Sequence, residues 1–392
     1  MPYRAGVWTT NEVISRVLDG NWRPDSIAGE PGCLFSWGSN ECGQLGDGTV
    51  IPKSSPNAIG GTNWIYLSSG DKHAAGIKAD GTLWTWGDNT LGQLGDNTTF
   101  PRSSPVQVPG SWSSLGLGGQ HTSAVKSDQT LWSWGSNIYG QLGDNNPGGN
   151  ITRSSPVQVP GTGWSIITGG YYNTYAVTVT GSLYGWGYNA HGQVGDCTVI
   201  PRSSPVQIPG TNWVDVTTGF YHALGLKADS SLWAWGNNYY GQLGIGTACL
   251  SFGGGTQGTA PDRSSPVQVL GAWYKADGGQ SNSYGADNNG NFFAWGHNSV
   301  GQMSGAVGNG PNCGCACIVV ASSSCWKNIV AGGANHVAVL SCCTLLYTSG
   351  NNTCGQLGST GLSNSNGLGQ RTCISTWTNI SAFGDSTYGI KC

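Results

Sequence analysis

The chain has 392 residues, of which only 9% are charged, and its 16 Lys and Arg against 19 Asp and Glu give a formal net charge of −3. So thin a basic complement offers no stripe to neutralise a phosphate backbone, which argues against DNA or RNA as partners. No run approaches the roughly 18 apolar residues of a membrane-spanning helix, and the first residues lack the apolar stretch of a secretory signal.

Residues 1–31 read as an arm that precedes the repeats. Thr10-Asn11 is placed to cap a short helix ending near Asp19-Gly20, with Val13, Ile14 and Val17 as an apolar stripe for anchoring on a partner. A loosely packed leader is the alternative.

From Gly32 onward one phrase recurs seven times: SWGSNECGQLG at Ser36, TWGDNTLGQLG at Thr85, SWGSNIYGQLG at Ser133, GWGYNAHGQVG at Gly185, AWGNNYYGQLG at Ala234, AWGHNSVGQMS at Ala294 and TSGNNTCGQLG at Thr348. Its fixed points are Trp37, Trp86, Trp134, Trp186, Trp235 and Trp295, with Ser349 in the last copy, and Gln44, Gln93, Gln141, Gln193, Gln242, Gln302 and Gln356. A period near fifty residues, punctuated by Gly and aromatics, predicts a β-propeller with one blade per copy. The expected fold is therefore all-β: a single seven-bladed propeller of four-stranded antiparallel blades over residues 32–392.

Within the unit from Pro105 to Gly135, four short runs read as strands: Pro105 to Val108, Trp112 to Leu117, His121 to Lys126 and Leu131 to Trp134. Asp80-Gly81 marks a two-residue hairpin turn between the last two in the first full unit. The recurring Arg-Ser-Ser-Pro linker, carrying Arg102, Arg153, Arg202 and Arg263 with Lys53 in the earliest copy, reads as an inter-blade clasp in which Arg bonds carbonyls of the adjacent unit.

The chain starts inside a repeat and stops inside one, so the ends are expected to build a shared last blade, three strands from residues 371–392 and a fourth from Leu34 to Trp37. That alignment sets Cys33 and Cys392 across a hairpin, either as a disulfide sealing the ring or as two unpaired thiols. Nine of the 13 cysteines fall from Cys313 onward. Their spacing fits no zinc motif, so disulfides joining Cys313, Cys315, Cys317 and Cys325 to Cys342, Cys343, Cys354 or Cys373 are the better expectation.

His73, His121, His222 and His336 share one position in four units, and Asn173 and Asn282 replace them in two others. Such a pattern suits hydrogen bonding to a neighbouring carbonyl better than metal ligation. The carboxylates sit in repeated turns, and no nucleophile motif, phosphate loop or metal triad appears, so neither enzymatic activity nor a cofactor is expected. The longest departures from period are Ile245 to Asp262 and Ser304 to Ser324. Recognition is commonly grafted on such loops, which makes Cys249, Phe252, Gly254, Gln257, Asn309 and Asn312 candidate contact residues.

The copies of WGxNxxGQLG, with a Gly-x-x-His segment recurring in order after them, resemble the repeat of the regulator of chromosome condensation family across Gly32 to Cys392. The resemblance implies a seven-bladed propeller but no single function, because that family includes exchange factors, adhesins and virion parts. The low-charge, Gly-rich character is similar to surface proteins of marine bacteria and phages. The first functional expectation is a non-enzymatic virion component, a structural, decoration or tail-fibre protein in a larger assembly, touching other virion or surface proteins, a host receptor or a glycan. The alternative is an intracellular, cytoplasmic protein-docking regulator, such as a guanine nucleotide exchange factor for a small GTPase.

Overall fold

The hairpin turns decide how the repeat is cut into strands. In the computed structural model, which describes residues 31–391 apart from 148, 150, 246–260, 304–311, 322–325, 334–335, 360 and 371–376, the Lys78 amide donates to the Thr82 carbonyl at 3.0 Å. Three residues therefore close the turn rather than the two expected. Gly81 alone has positive φ, at +80°, as in a type I turn followed by a left-handed bulge residue. Gln129 and Ser230 hold that left-handed position in other blades, both at φ 65°. Asp128 and Asp229 brace those turns, each accepting hydrogen bonds from the backbone N–H and hydroxyl of the residue two ahead.

All four runs of the model unit are strands, but they are grouped one strand out of phase with the expectation. Blade 2 runs Trp112–Leu117, His121–Lys126, Leu131–Ser136 and Thr152–Val159, from channel to rim. The Arg-Ser-Ser-Pro segment thus finishes the blade it follows instead of opening the next. Proline accounts for this placement: Pro105 and Pro156 cannot donate to a second ladder, and an outermost strand has only one.

Blades 3 to 6 repeat this order. Blade 3 comprises Trp164–Gly169, Asn173–Thr178, Leu183–Gly187 and Arg202–Gln207; blade 4 comprises Trp213–Thr218, His222–Lys227, Leu232–Gly236 and Arg263–Val269. Blade 5 comprises Trp273–Gly278, Asn282–Asp287, Phe292–His297 and Asn312–Ala321, and blade 6 comprises Trp326–Gly332, His336–Ser341, Leu346–Gly350 and Ser365–Gln370. Asn312–Ala321, within the segment read as an insert from Ser304, is therefore the rim strand of blade 5, whose divergent sequence hid it.

Closure uses two strands from each end rather than three and one. Trp377–Phe383 and Ser386–Lys391 pair with each other, Gly32–Gly38 pairs with Ser386–Lys391, and the first part of the long strand Lys53–Ser69 completes blade 7. The second part of that strand, from Trp64, pairs with His73–Lys78 to begin blade 1, followed by Leu83–Gly87 and Arg102–Val108. Head and tail build one sheet, which leaves no open edge at the seam. Cys33 faces Lys391 in this register and its thiol is free, so the expected Cys33–Cys392 bridge is not formed; Cys392 itself lies outside the described residues. The one-residue difference in turn length is the cause, since Thr82, the counterpart of Cys33, likewise faces Lys78 and not Ala79.

Sequence chemistry fixes the blade interfaces. Trp37, Trp86, Trp134, Trp186, Trp235 and Trp295 are fully buried, and each donates its indole N–H across the interface to the main-chain carbonyl of a repeat glutamine. The pairs are Trp37 with Gln356, Trp86 with Gln44, Trp134 with Gln93, Trp186 with Gln141, Trp235 with Gln193 and Trp295 with Gln242, all at 2.8–3.0 Å. In the seventh, Ser349 donates to the Gly301 carbonyl instead. A buried ring contributes roughly 1.5–3 kcal/mol, and its N–H needs a partner once water is excluded.

All seven glutamine carbonyls also accept from a hydroxyl, in one of two ways. For Gln93, Gln141, Gln242 and Gln356 the donor is the hydroxyl of Thr122, Thr174, Ser283 or Thr387 from the following blade. That hydroxyl in turn bonds Nε2 of His73, His121, His222 or His336 at 2.8–3.0 Å. Because the hydroxyl hydrogen is spent on the carbonyl, Nε2 is the donor. For Gln44, Gln193 and Gln302 the donor is instead the phenol of Tyr388, Tyr175 or Tyr284, while the following blade presents Ala74, Ala223 or Val337. The histidines thus reach a neighbouring hydroxyl through Nε2, where a carbonyl was expected, and backbone groups of His121 and Asn173 in the next blade also act on His73 and His121. Burial holds His73 and His336 down to about 4 and His121 and His222 down to about 3.

Candidate functional site

The loops joining the two inner strands of each blade and those following the repeat Trp-Gly emerge at one end of the ring, as backbone bonds such as Tyr188 N to Tyr172 O and Asn237 N to Tyr221 O show. The scaffold beneath them is the same in every blade. The glutamine side chain accepts from the amide two residues earlier, for example Tyr139 to Gln141 and His191 to Gln193. The repeat asparagine accepts from the amide five residues on, for example Leu94 to Asn89. These bonds hold the backbone and leave the intervening side chains unconstrained in type.

In blades 2 to 5 aromatic side chains gather on these loops. Tyr139 packs against Tyr172 and Tyr188 with ring centroids 4.9 and 4.8 Å apart, Tyr172 against Tyr171 at 4.6 Å, and Tyr171 against Phe220 at 4.4 Å. Phe220 stacks on Phe383 at 5.8 Å, and Tyr188 continues the chain of contacts to Tyr221 and His191. Tyr239, Tyr240 and His297 form a second group on the next interface. Tyr139 is 36% exposed and Tyr239 47%, and Tyr171, Tyr172, Tyr188, Phe220, Tyr221 and Tyr240 are half-buried. A contiguous, partly exposed aromatic surface of this kind is what marks an interaction site.

Among the buried side-chain atoms without a partner, one belongs to the glutamine frame beneath this tract. Gln44, Gln93, Gln141, Gln242 and Gln302 donate from Nε2 to Ser39, Asp88, Ser136, Asn237 and His297, the residues that follow Trp-Gly. Tyr188 occupies that place in blade 3, and Nε2 of Gln193, 1% exposed, has no acceptor. The blade gives up a hydrogen bond to present a tyrosine.

On blades 7 and 1 the same loop positions are acidic. Glu41, Asp71, Asp88 and Asp385 lie there, with the Lys72 ammonium beside Asp71 and Asp385. Burial raises the Asp71 carboxyl above its ordinary range, with Asp88 adding to it, and Asp385 is raised by burial and then by Asp71. The acidic and aromatic zones meet at the mouth of the channel: Tyr171 is pushed up to about 12 by burial and by the nearby Asp71 charge. The channel itself is lined by the seven inner strands, which enclose a cavity of about 130 Å³ crossed by the Lys275–Asp215 ion pair at 3.4 Å.

Of the contact residues expected from sequence, Cys249, Phe252, Gly254, Gln257 and Asn309 lie outside the described residues, as do Val13, Ile14 and Val17. Asn312 starts the rim strand of blade 5, opposite His297. The base of the Ile245 to Asp262 insertion is described: Asp262 binds Nδ1 of His191 at 2.8 Å and accepts from the Asn238 amide, which seats the loop's root beside the aromatic tract. Arg102, Arg153 and Arg202 pair with Asp96, Asp144 and Asp196 in their own connections rather than with carbonyls of the next blade. Burial pushes Asp96 and Asp196 up, but bonds from the paired Thr and Arg outweigh it and hold both below the ordinary value. The clasp between blades is made by the following serine, whose carbonyl accepts from the preceding loop, as in Asn97 N to Ser154 O and Cys197 N to Ser264 O. Arg263 sits at the matching start of the blade 4 rim strand. Cys343 and Cys354 are free thiols, whereas Cys342 is disulfide-bonded. No cluster of three or more metal-ligating side chains occurs among the described residues.

Sequence reading missed the aromatic tract. The signal was available in the tyrosine pairs at Tyr171-Tyr172 and Tyr239-Tyr240, placed where the other repeats vary freely.

Fold and site together define a closed seven-bladed propeller with a rigid frame and one chemically differentiated loop face. Residues 34–364 match the RCC1-like domain, and the chain belongs to that family. No curated protein matches it. Among solved structures it is similar to Prp20p from Saccharomyces cerevisiae, with a TM-score of 0.81 at 16% identity over 98% of this chain and 95% of that one. It is also similar to human WBSCR16, with a TM-score of 0.78 at 21% identity over 92% and 98% of the two chains. At these identities the likeness concerns the fold.

Proposed function

We propose that this protein is a non-enzymatic docking propeller that holds a protein partner on its loop face. The observation that carries this reading is the tract from Tyr139 through Tyr188, Tyr172, Tyr171 and Phe220 to Phe383, mounted on a hydrogen-bonded frame that does not require aromatics. Aromatic side chains supply large contact area for little conformational entropy, which is why they dominate the energetics of protein interfaces. The fold relatives are compatible with it: yeast RCC1 (Prp20) has been crystallised with Kap60 bound, and Prp20p has been studied for binding to Gsp1p and histones. The particle-borne reading rests on composition, and no relative found here adds to it; the docking-regulator reading is the better supported.

The test is quantitative affinity capture with the intact chain, comparing wild type, a Tyr139→Ala/Tyr188→Ala variant and an Asp80→Asn variant at the opposite end of the ring. Proteins retained by wild type and the Asp80 variant but depleted at least tenfold by the tyrosine variant are expected. Identical recovery on all three overturns the reading. The captured set also separates a small GTPase from structural proteins of a particle.

A further inference from the structure

We infer that the partner segment seated on this face is basic and arginine-bearing, with guanidinium groups stacked on the tyrosines and forked onto the carboxylates at the channel mouth. The inference rests on the docking reading above and adds the chemistry of the occupant.

The argument begins with where negative charge is left over. Asp47, Asp96, Asp144 and Asp196 have Lys53, Arg102, Arg153 and Arg202 beside them. Asp80, Asp128, Asp229 and Asp287 belong to hairpin turns at the far end of the ring, Asp215 and Asp277 lie on the inner strands with Lys275, and Asp262 pairs with His191. What remains among the described carboxylates is Glu41, Asp71, Asp88 and Asp385, all on one face and close enough to disturb one another, with Lys72 as the one cation among them. That face therefore carries an excess of about three negative charges, on a chain whose whole formal charge is −3.

The second strand of the argument is adjacency. Phe383 is followed by Gly384 and Asp385, and Gly384 packs against Asp71, so the acids begin where the ring contacts end. A ligand lying across the mouth meets tyrosine faces and carboxylates within one side-chain length. A lysine satisfies the carboxylate but stacks poorly, and a leucine fills the aromatic surface but leaves the acids unanswered. Arginine alone does both, being planar, permanently charged and bidentate.

The test uses the full chain and three fluorescein-labelled dodecapeptides in which Gly-Ser alternates with Arg, Lys or Gln, followed by fluorescence anisotropy. The Arg peptide is expected to bind at least tenfold more tightly than the Gln peptide and about threefold more tightly than the Lys peptide, the gap to Gln narrowing with salt. Asp71→Asn/Asp385→Asn and, separately, Tyr171→Ala/Phe220→Ala are each expected to weaken the Arg peptide about tenfold, and Asp80→Asn/Asp128→Asn to leave it unchanged. Circular dichroism melts confirm that the variants are folded. Equal affinity for Arg and Gln peptides, still lost in the Tyr171→Ala/Phe220→Ala variant, overturns the basic occupant but keeps the docking face. Equal weakening by the far-end Asp80→Asn/Asp128→Asn variant assigns the binding to net charge and overturns the proposal, and no binding of any peptide does the same.

Discussion

The blade interfaces and the loop face are built on the same repeat, yet they obey opposite rules. At the interfaces almost every position is dictated: an indole and a hydroxyl converge on six of the seven glutamine carbonyls, and a change on one blade is answered on the next. Where the following blade offers Thr or Ser, the preceding one presents His; where it offers Ala or Val, the preceding one presents Asn or Ser with a Tyr two residues on. On the loop face the frame bonds are kept while the side chains drift to tyrosine on one side and to acid on the other. Stability is written in what repeats, and recognition in what does not.

The largest expected effect concerns the buried histidines. In the unfolded chain they take up protons near the ordinary value of about 6.5, while in the ring they stay neutral down to about 4 or 3. Between those limits the unfolded state binds more protons, so stability rises with pH and is lost on acidification below 6.5. Each histidine contributes up to about 1.4 kcal/mol per pH unit, so four together should make urea midpoints fall steeply between pH 6.5 and pH 4.5. Midpoints that stay level across that window would show the imidazoles to be solvated and the interface description wrong.

Removing a signature ring comes next. Trp235→Ala empties a fully buried site and strips the Gln193 carbonyl of one donor, with an expected cost of about 3–5 kcal/mol. Tyr239→Ala, on the exposed side of the comparison, should cost under about 1 kcal/mol by the same melt. Comparable losses at the two positions would erase the distinction between frame and face.

The interface rule is open to a direct exchange. His222→Asn leaves the Ser283 hydroxyl without its donor and should destabilise by about 1–3 kcal/mol. Converting the whole interface to the other type, with His222→Asn, Leu224→Tyr and Ser283→Ala together, is expected to recover at least half of that loss. Thermal melts of the single and triple variants give the coupling directly. A triple variant no more stable than the sum of its parts would reduce the rule to coincidence.

Much of this was legible in the sequence, and the failures have physical causes. Seven copies of Trp-Gly-x-Asn-x-x-Gly-Gln give the blade count, and the truncated ends give the shared blade, because a closed ring cannot tolerate an unpaired strand. Strand phase was misread because Pro105 to Val108 has the same composition whichever blade it joins; only the missing proline N–H sets it at the rim. The turn was misread by one residue because Asp-Gly serves both a two-residue turn and a bulged three-residue one, and that residue moved Cys33 opposite Lys391. The face was overlooked because a motif search keeps what recurs, and Tyr139, Tyr188 and Phe220 stand where nothing recurs.

The smallest effect sharpens the contrast most, because it asks one residue to change sides. Tyr188 sits at a position where His297 in blade 5 accepts from Gln302 at 3.3 Å and still packs its ring against Tyr240 at 4.6 Å. Tyr188→His should therefore give the Gln193 Nε2 its missing acceptor while keeping an aromatic beside Tyr139 and Tyr221. A buried donor gaining a partner is expected to add about 1 kcal/mol, read as a rise of a few degrees in the melting temperature. The phenol that faces a partner is lost in the same step, so peptide binding should weaken as stability increases. A variant that melts at or below the wild-type temperature would mean that Gln193 already has an acceptor, and that blade 3 gives up nothing to present its tyrosine.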